Sequence, residues 1–195
     1  MLISQAIEVD QPIDAVWKFF DNVPQVAACI PGADLTNEVG KDHYEGNVII
    51  SAGPVKLEFA GAAKVVNRDN AKKVINIDAS GADRKGRGEA QPKLTAALST
   101  IPTGTRVNIS LDLVISGAAA QFGRGLVADV TAVLVNQTAN SMKARMKAIS
   151  LGLDPNSVGG PKAASGIQIG LNVAKNQIGR VYSRLLMPYK PVARR

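Results

Sequence analysis

The chain has 195 residues, with 23 Lys and Arg against 16 Asp and Glu, and a single Cys and a single His. One Cys excludes an internal disulfide, the length suits one domain with an appendage, and no stretch approaches the roughly 18 uncharged apolar residues of a membrane-spanning helix. The surplus of +7 is confined to one end: every acid precedes Pro155, while seven Lys and Arg follow it. The body is therefore neutral, which argues against a nucleic-acid partner, since a fold that grips DNA or RNA carries its basic footprint on the folded surface.

Taken in chain order, MLISQAIEVDQP lacks the basic start and long apolar run of a signal peptide, so a cytoplasmic location is expected. Ile3 to Val9 alternates as a strand does, and Pro12 opens a short helix, PIDAVWKFFDN, with Asp10 as its expected cap. A second short helix, PQVAACI, ends at Pro31-Gly32. The period then changes to two. VKLEFAGAAKV, 55–65, puts Val55, Leu57, Phe59, Gly61, Ala63 and Val65 on one face and Lys56, Glu58, Ala60, Ala62 and Lys64 on the other. The same rhythm marks Tyr44 to Ile50, Val74 to Ala79, Glu89 to Leu98 and RVNISLDLVI, 106–115, with SAGP, NRDNAKK, SGADRKG and IPTGT as turns. From Arg124 to Ile149 the period is helical, with Leu126, Val130, Val133, Leu134, Thr138 and Met142 on one stripe, and Leu151-Gly152 ends the run. This order predicts an α+β fold, a curved antiparallel sheet wrapped around a long C-terminal helix, with two short helices after the first strand.

Many inward positions are small (Gly46, Gly61, Ala63, Ala79, Ala90, Ala96), and the chain holds only eight aromatic residues. A curved sheet with so little bulk on its inner face is expected to enclose an apolar cavity. Its lining is read as Phe20, Ile30, Val48, Ile50, Leu57, Phe59, Ile75, Ile77, Leu94, Leu98, Ile109, Leu111, Phe122, Leu126 and Val130. The alternative is a flatter sheet whose alanines pack directly on the helix.

Nothing in the sequence demands catalysis or a metal. His43, in GKDHYEG, has no second His or Cys at ligand spacing and reads as a solvated turn residue. Cys29 reads as a small buried hydrophobe, and Asp83, Arg84, Lys85 and Arg87 read as a charged turn. No inward strand position offers the acid and base pair of general acid–base chemistry, so the chain is read as a non-enzyme. In 123–125, GRG is read as a tight turn, the alternative being an anion site at the helix start.

Beyond the body, 151–165 (LGLDPNSVGGPKAAS) is rich in Gly, Pro and Ser and reads as a flexible linker. Within 166–195, helical projection gathers Leu171, Ile178, Val181, Tyr182, Leu185 and Leu186 into one arc, with Arg180 and Arg184 opposite and Lys175 at the edge. Together with Lys190, Arg194 and Arg195 these residues are expected to seat on an anionic membrane surface, where each cation contributes about 1 kcal/mol and an acid would be repelled. A packed or oligomerising helix, or a disordered tail, is the alternative.

Four stretches, VWKFFDNVPQVAACIPGADL (16–35), YEGNVIISAGPVKLEFAG (44–61), ADRKGRGEA (82–90) and ISGAAAQFGRG (115–125), in this order and at these intervals, resemble the carbon monoxide dehydrogenase G-subunit family of the START-like (SRPBCC) helix-grip class. The resemblance implies a helix-grip domain over residues 1–150 with an apolar cavity, no covalently bound cofactor, and service to a molybdenum hydroxylase of the carbon monoxide dehydrogenase type. It also implies recruitment of that enzyme to the inner face of the cell membrane, with this chain as a peripheral protein. An apolar cavity, a membrane-seeking tail and a redox partner together point to an isoprenoid quinone, menaquinone or ubiquinone, as the lipophilic guest. The alternatives are a START-like lipid- or polyketide-binding protein or cyclase, and a pure membrane tether without a ligand.

Overall fold

The computed structural model describes residues 1–52 and 55–158. Seven strands form one antiparallel sheet: β1 (Leu2–Val9), β2 (Ala33–Gly40), β3 (His43–Ala52), β4 (Val55–Asp69), β5 (Val74–Asp83), β6 (Glu89–Ile101) and β7 (Gly104–Ile115). Their spatial order is β1-β7-β6-β5-β4-β3-β2, so β2 to β7 form a meander and the first strand returns beside the last. Helices α1 (Ile13–Asp21) and α2 (Val23–Ala27) follow β1, and the long α3 (Gly123–Ser150) closes the domain. The expected architecture is the observed one.

Helix α1 forms because its apolar residues fall on one side, and Val16, Trp17, Phe19 and Phe20 are all buried. Its start differs from the expectation. The N-cap is Pro12, with no side-chain cap, and Asp10 takes no part. Pro12 stays extended (φ −59°, ψ 147°), and the preceding connection is held from outside, Thr105 Oγ1 donating to the Gln11 carbonyl at 2.8 Å. Asn22 does cap α2, accepting from the Gln25 N–H at 3.2 Å. Trp17 Nε1 donates to Asn70 Oδ1 at 2.9 Å, and Lys73 lies over the Trp17 ring and against Asp14. These contacts tie α1 to the β4–β5 turn.

Strand β2 escaped the period-two reading because its register against β3 slips twice, between Leu35 and Asn37 and between Glu38 and Gly40. Both bulges sit on an edge strand, where they break the straight template that would recruit another chain. His43, read as a turn residue, is the first residue of β3 and pairs with Lys64. Strand β5 likewise runs through Asp83, so the β5–β6 turn is shorter than the sequence suggested.

Paired positions share a face of the sheet, and the register places Gly46 opposite Gly61 and Gly61 opposite Gly81. A Cβ at Gly61 would run into the Ser80 carbonyl, and one at Gly46 into the Asp34 carbonyl. Three aligned residues without side chains thus mark a crease in the inner face, and at Gly46 and Gly61 neighbouring backbone lies where a Cβ would stand.

The main core joins Ile7, Val9 and Val107 to the α1 aromatics, Cys29, Ile75, Ala96 and Leu98, and to Ala139, Met142 and Met146 of α3. Helix α3 then ends on the Leu151-Gly152 signal. Gly152 is left-handed (φ +70°), its N–H bonds the Ile149 carbonyl, and the Leu153 N–H reaches back to Ala148, the paired bonds of a Schellman stop. Among the described residues no helix is long and apolar enough to cross a membrane.

Candidate ligand-binding face

Strand register decides which side chains look toward α3. Across the sheet the inner face carries Ile3, Gln5 and Ile7 of β1, then Val107, Ile109 and Leu111 of β7. Leu94, Ala96 and Leu98 of β6 follow, with Ile75, Ile77 and Ala79 of β5, and then Phe59 and Leu57 of β4 opposite Val48 and Ile50 of β3.

The structure sorts the expected lining residues into three groups. Phe20, Ile75 and Leu98 belong to the main core and form its floor, with Ile77, Leu94 and Ile109 half-buried against it. A separate cluster joins Val130 to Leu126, Val133 and Leu134 of α3 and to Ile50 of β3. Val48, Phe59 and Leu111 are half-buried and belong to neither cluster, as does Ile30 just after α2. Leu57 is buried. The Phe122 side chain lies outside what the structure describes, as do the membrane-directed residues Leu171, Lys175, Ile178, Arg180, Val181, Tyr182, Arg184, Leu185, Leu186, Lys190, Arg194 and Arg195.

Aliphatic side chains in a sealed core are usually almost wholly covered. Here the two clusters sit at opposite parts of α3, one on Val130 and one on Ala139 to Met146, and half-covered apolar groups lie on the sheet's inner face. α3 approaches the sheet most closely along β1.

The inner face carries little chemistry. Thr105 is buried and occupied by the Gln11 carbonyl. Tyr44 is buried, its phenol pushed up by burial and by the charges of Glu38 and Asp42. Asp83 is buried at the end of β5 and held by Arg87, whose guanidinium and hydrogen bonds keep its carboxyl well below the usual carboxylate range. Among the described residues no three His, Cys, Asp or Glu side chains gather as a metal site would require. Cys29 is fully buried and donates to the Gln25 carbonyl at 3.2 Å; burial pushes its thiol up.

The sequence reading missed the outer face. Two adjoining open hollows of about 270 and 330 Å³ lie there, sharing Ser80 and Gln91. Their floor is Ala60, Ala62, Ser80 and Ala82, with His43, Lys64, Asp78 and Lys93 around one and Glu89 at the other. The signal was the run of small residues at outward positions of β4 and β5.

A curved antiparallel sheet gripping one long helix, with an apolar inner face, defines a START-like helix-grip domain. The family model for the G subunit of carbon monoxide dehydrogenase (CoxG) matches residues 6–147. That span is most of the chain, and the protein belongs to this family. No curated protein matches the sequence. Among solved structures, a conserved protein from Geobacillus kaustophilus aligns with TM-score 0.68 at 17% identity, covering 75% of this chain and 95% of that one. The Zhui aromatase/cyclase from Streptomyces sp. R1128 aligns with TM-score 0.57 at 13% identity, over 77% and 95% of the two chains. A protein from Thermus thermophilus gives TM-score 0.55 at 13% identity, over 77% and 99%. At such identities these likenesses show a shared fold and nothing about activity.

Proposed function

We propose that this chain is a non-catalytic accessory protein of a molybdenum hydroxylase of the carbon monoxide dehydrogenase type, and that its inner face takes up a lipophilic guest, an isoprenoid quinone. In this reading residues 1–150 hold the guest, the segment expected as a linker, 151–165, tethers from beyond its Pro155–Ser157 turn, and the basic segment 166–195 brings the assembly to the inner face of the cell membrane. Membership of a family named for a subunit of carbon monoxide dehydrogenase supports this choice of partner. The observation that carries the ligand reading is the half-buried apolar surface of Val48, Phe59, Ile77, Leu94 and Leu111 on the inner face, where Asp83, opposite Phe59, is tied up by Arg87. An apolar molecule there removes this surface from water at about 25 cal/mol per Å².

A quinone in that place takes two electrons and two protons from the partner enzyme and leaves as the quinol. This chain shelters and delivers it. A cyclase on the same fold needs an acid and base aimed at its substrate, whereas here Asp83 and Thr105 are committed to partners within the protein, and the further polar groups on this face include Gln5 and Tyr44.

The test is solvent extraction and mass spectrometry of protein purified from membrane-containing lysate, paired with co-purification of the hydroxylase. Quinone in near-stoichiometric amount supports the reading. An extract free of quinone, from protein that still holds the enzyme, leaves a tether in its place.

A further inference from the structure

The end of α3 presents an apolar surface that the core does not use. Ile149, Leu151 and Leu153 are 48%, 64% and 57% exposed, and they lie within five residues of chain. They do not hang on a free strand. On one side the Schellman bonds from Gly152 and Leu153 fix them to the last helical turn. On the other, the chain folds at once into a 3-10 turn, Pro155–Ser157, capped by Asp154, whose Oδ1 accepts from the Asn156 N–H at 2.9 Å.

That turn is pinned to the body. Arg145, 5% exposed, points Nη1 at Gln25 Oε1 (3.1 Å) and at Asn156 Oδ1 (3.2 Å). Gln25 Nε2 also reaches Asn156 Oδ1 at 3.5 Å. The first residues of the segment expected to be a linker are therefore a clamped loop, held by α2 and α3. Exposing three large aliphatics on such a loop costs solvation, and the rest of the chain offers them no cover among the described residues.

Charge indicates what covers them. Lys143 and Lys147 are exposed on the last turns of α3. From Ile149 to the C-terminus the sequence has one acid, Asp154, against seven Lys and Arg. Exposed aliphatic groups at the end of a helix whose last turns carry Lys143 and Lys147, in a stretch of sequence whose one acid serves as a cap, match the lipid–water boundary of an anionic leaflet. We propose that the loop Ile149–Leu153 is a preformed membrane-contact site on the folded body, entering the headgroup and upper acyl region. This rests on the membrane reading of the tail and adds to it: the body is seated in one orientation instead of drifting on a tether.

The experiment uses the full chain and vesicles of equimolar phosphatidylcholine and phosphatidylglycerol. A polarity-sensitive fluorophore is attached to Leu151→Cys, Cys29 being buried and out of reach, and in a control to Asn140→Cys on the exposed side of α3. The label at 151 should brighten, shift to the blue and be quenched by lipids brominated high on the acyl chain; the label at 140 should do none of these. Leu151→Ser with Leu153→Ser should weaken partitioning at least about tenfold, since even one fully buried leucine is worth that much. A silent label at 151 on a protein that still binds the vesicles overturns this site and leaves the tail reading standing. Failure of the full chain to bind acidic vesicles at all overturns both.

Discussion

Asp83 and Arg87 meet in a two-pronged ion pair, Oδ1 to Nη2 and Oδ2 to Nε, each at 2.8 Å. The carboxylate also accepts from the backbone N–H groups of Glu58, Lys85 and Arg87, and Arg87 Nη2 donates to the Lys56 carbonyl at 2.7 Å. One buried side chain thus joins the β5–β6 turn to the start of β4. Asp83→Asn keeps the shape but loses the charge, and should lower the melting temperature. Because the folded carboxyl lies below its unfolded value, near 3.9, its contribution is complete above about pH 5 and begins to fade as pH drops through that value. It vanishes only when pH passes the folded value. The gap between wild type and Asp83→Asn should be constant from neutral pH down to about pH 5 and narrow below it; a gap that widens on acidification contradicts the pairing.

The glycine crease gives a prediction with an internal control. Gly61→Ala forces a methyl into the Ser80 carbonyl, backbone that cannot swing aside, whereas a Cβ at Gly81 meets its nearest atom, Phe59 Cβ, at 3.4 Å. Overpacking of the first kind costs about 1–3 kcal/mol. Urea unfolding should show Gly61→Ala destabilised within or above that range and Gly81→Ala by less than about 1 kcal/mol. Equal losses would mean that the crease tolerates a side chain.

The division between what the sequence revealed and what it hid follows from how each feature is encoded. Strands β3 to β7 alternate because one face of each is wet, and α1 and α3 carry apolar stripes because one side of each meets the sheet. Strand β2 alternates poorly because bulges interrupt it and only one neighbour pairs with it. Pairing of β1 with β7 brings together residues about a hundred apart, and no local pattern records that. Asp83 reads as part of a charged turn since four of the five residues from Asp83 to Arg87 are charged; its setting comes from β4, where the Glu58 N–H bonds it and the Lys56 carbonyl holds Arg87, contacts made only in three dimensions. Inward parity along a strand identifies the face but does not separate Ile75, packed in the core, from Leu111, half-buried outside it.

Cys29 has no solvent contact and its thiol is pushed up by burial, against the smaller opposing effects of Ser141 and Arg145. It should stay protonated and inert near neutral pH. A disulfide reagent at pH 8 should leave the native protein unmodified over the time in which it titrates one thiol in urea. Rapid native labelling would show that α2 opens readily from α3.

Floor and lining should separate in their response to mutation. Ile75 is 1% exposed within the main core, so Ile75→Ala leaves a void and should cost about 2–5 kcal/mol. Phe59 and Leu111 are half-buried on the inner face, outside both core clusters, and hold less of the fold. Phe59→Ser and Leu111→Ser should each cost under about 2 kcal/mol, since a half-buried side chain has only part of its transfer free energy to lose. In the carrier reading both lower the quinone recovered per mole of folded protein several-fold, because each puts a hydroxyl against the guest. Measuring melting temperature and extracted quinone on the same preparations distinguishes the two roles. If Phe59→Ser and Leu111→Ser unfold the protein as Ile75→Ala does, the inner face is solid core; if they alter neither quantity, the guest lies elsewhere.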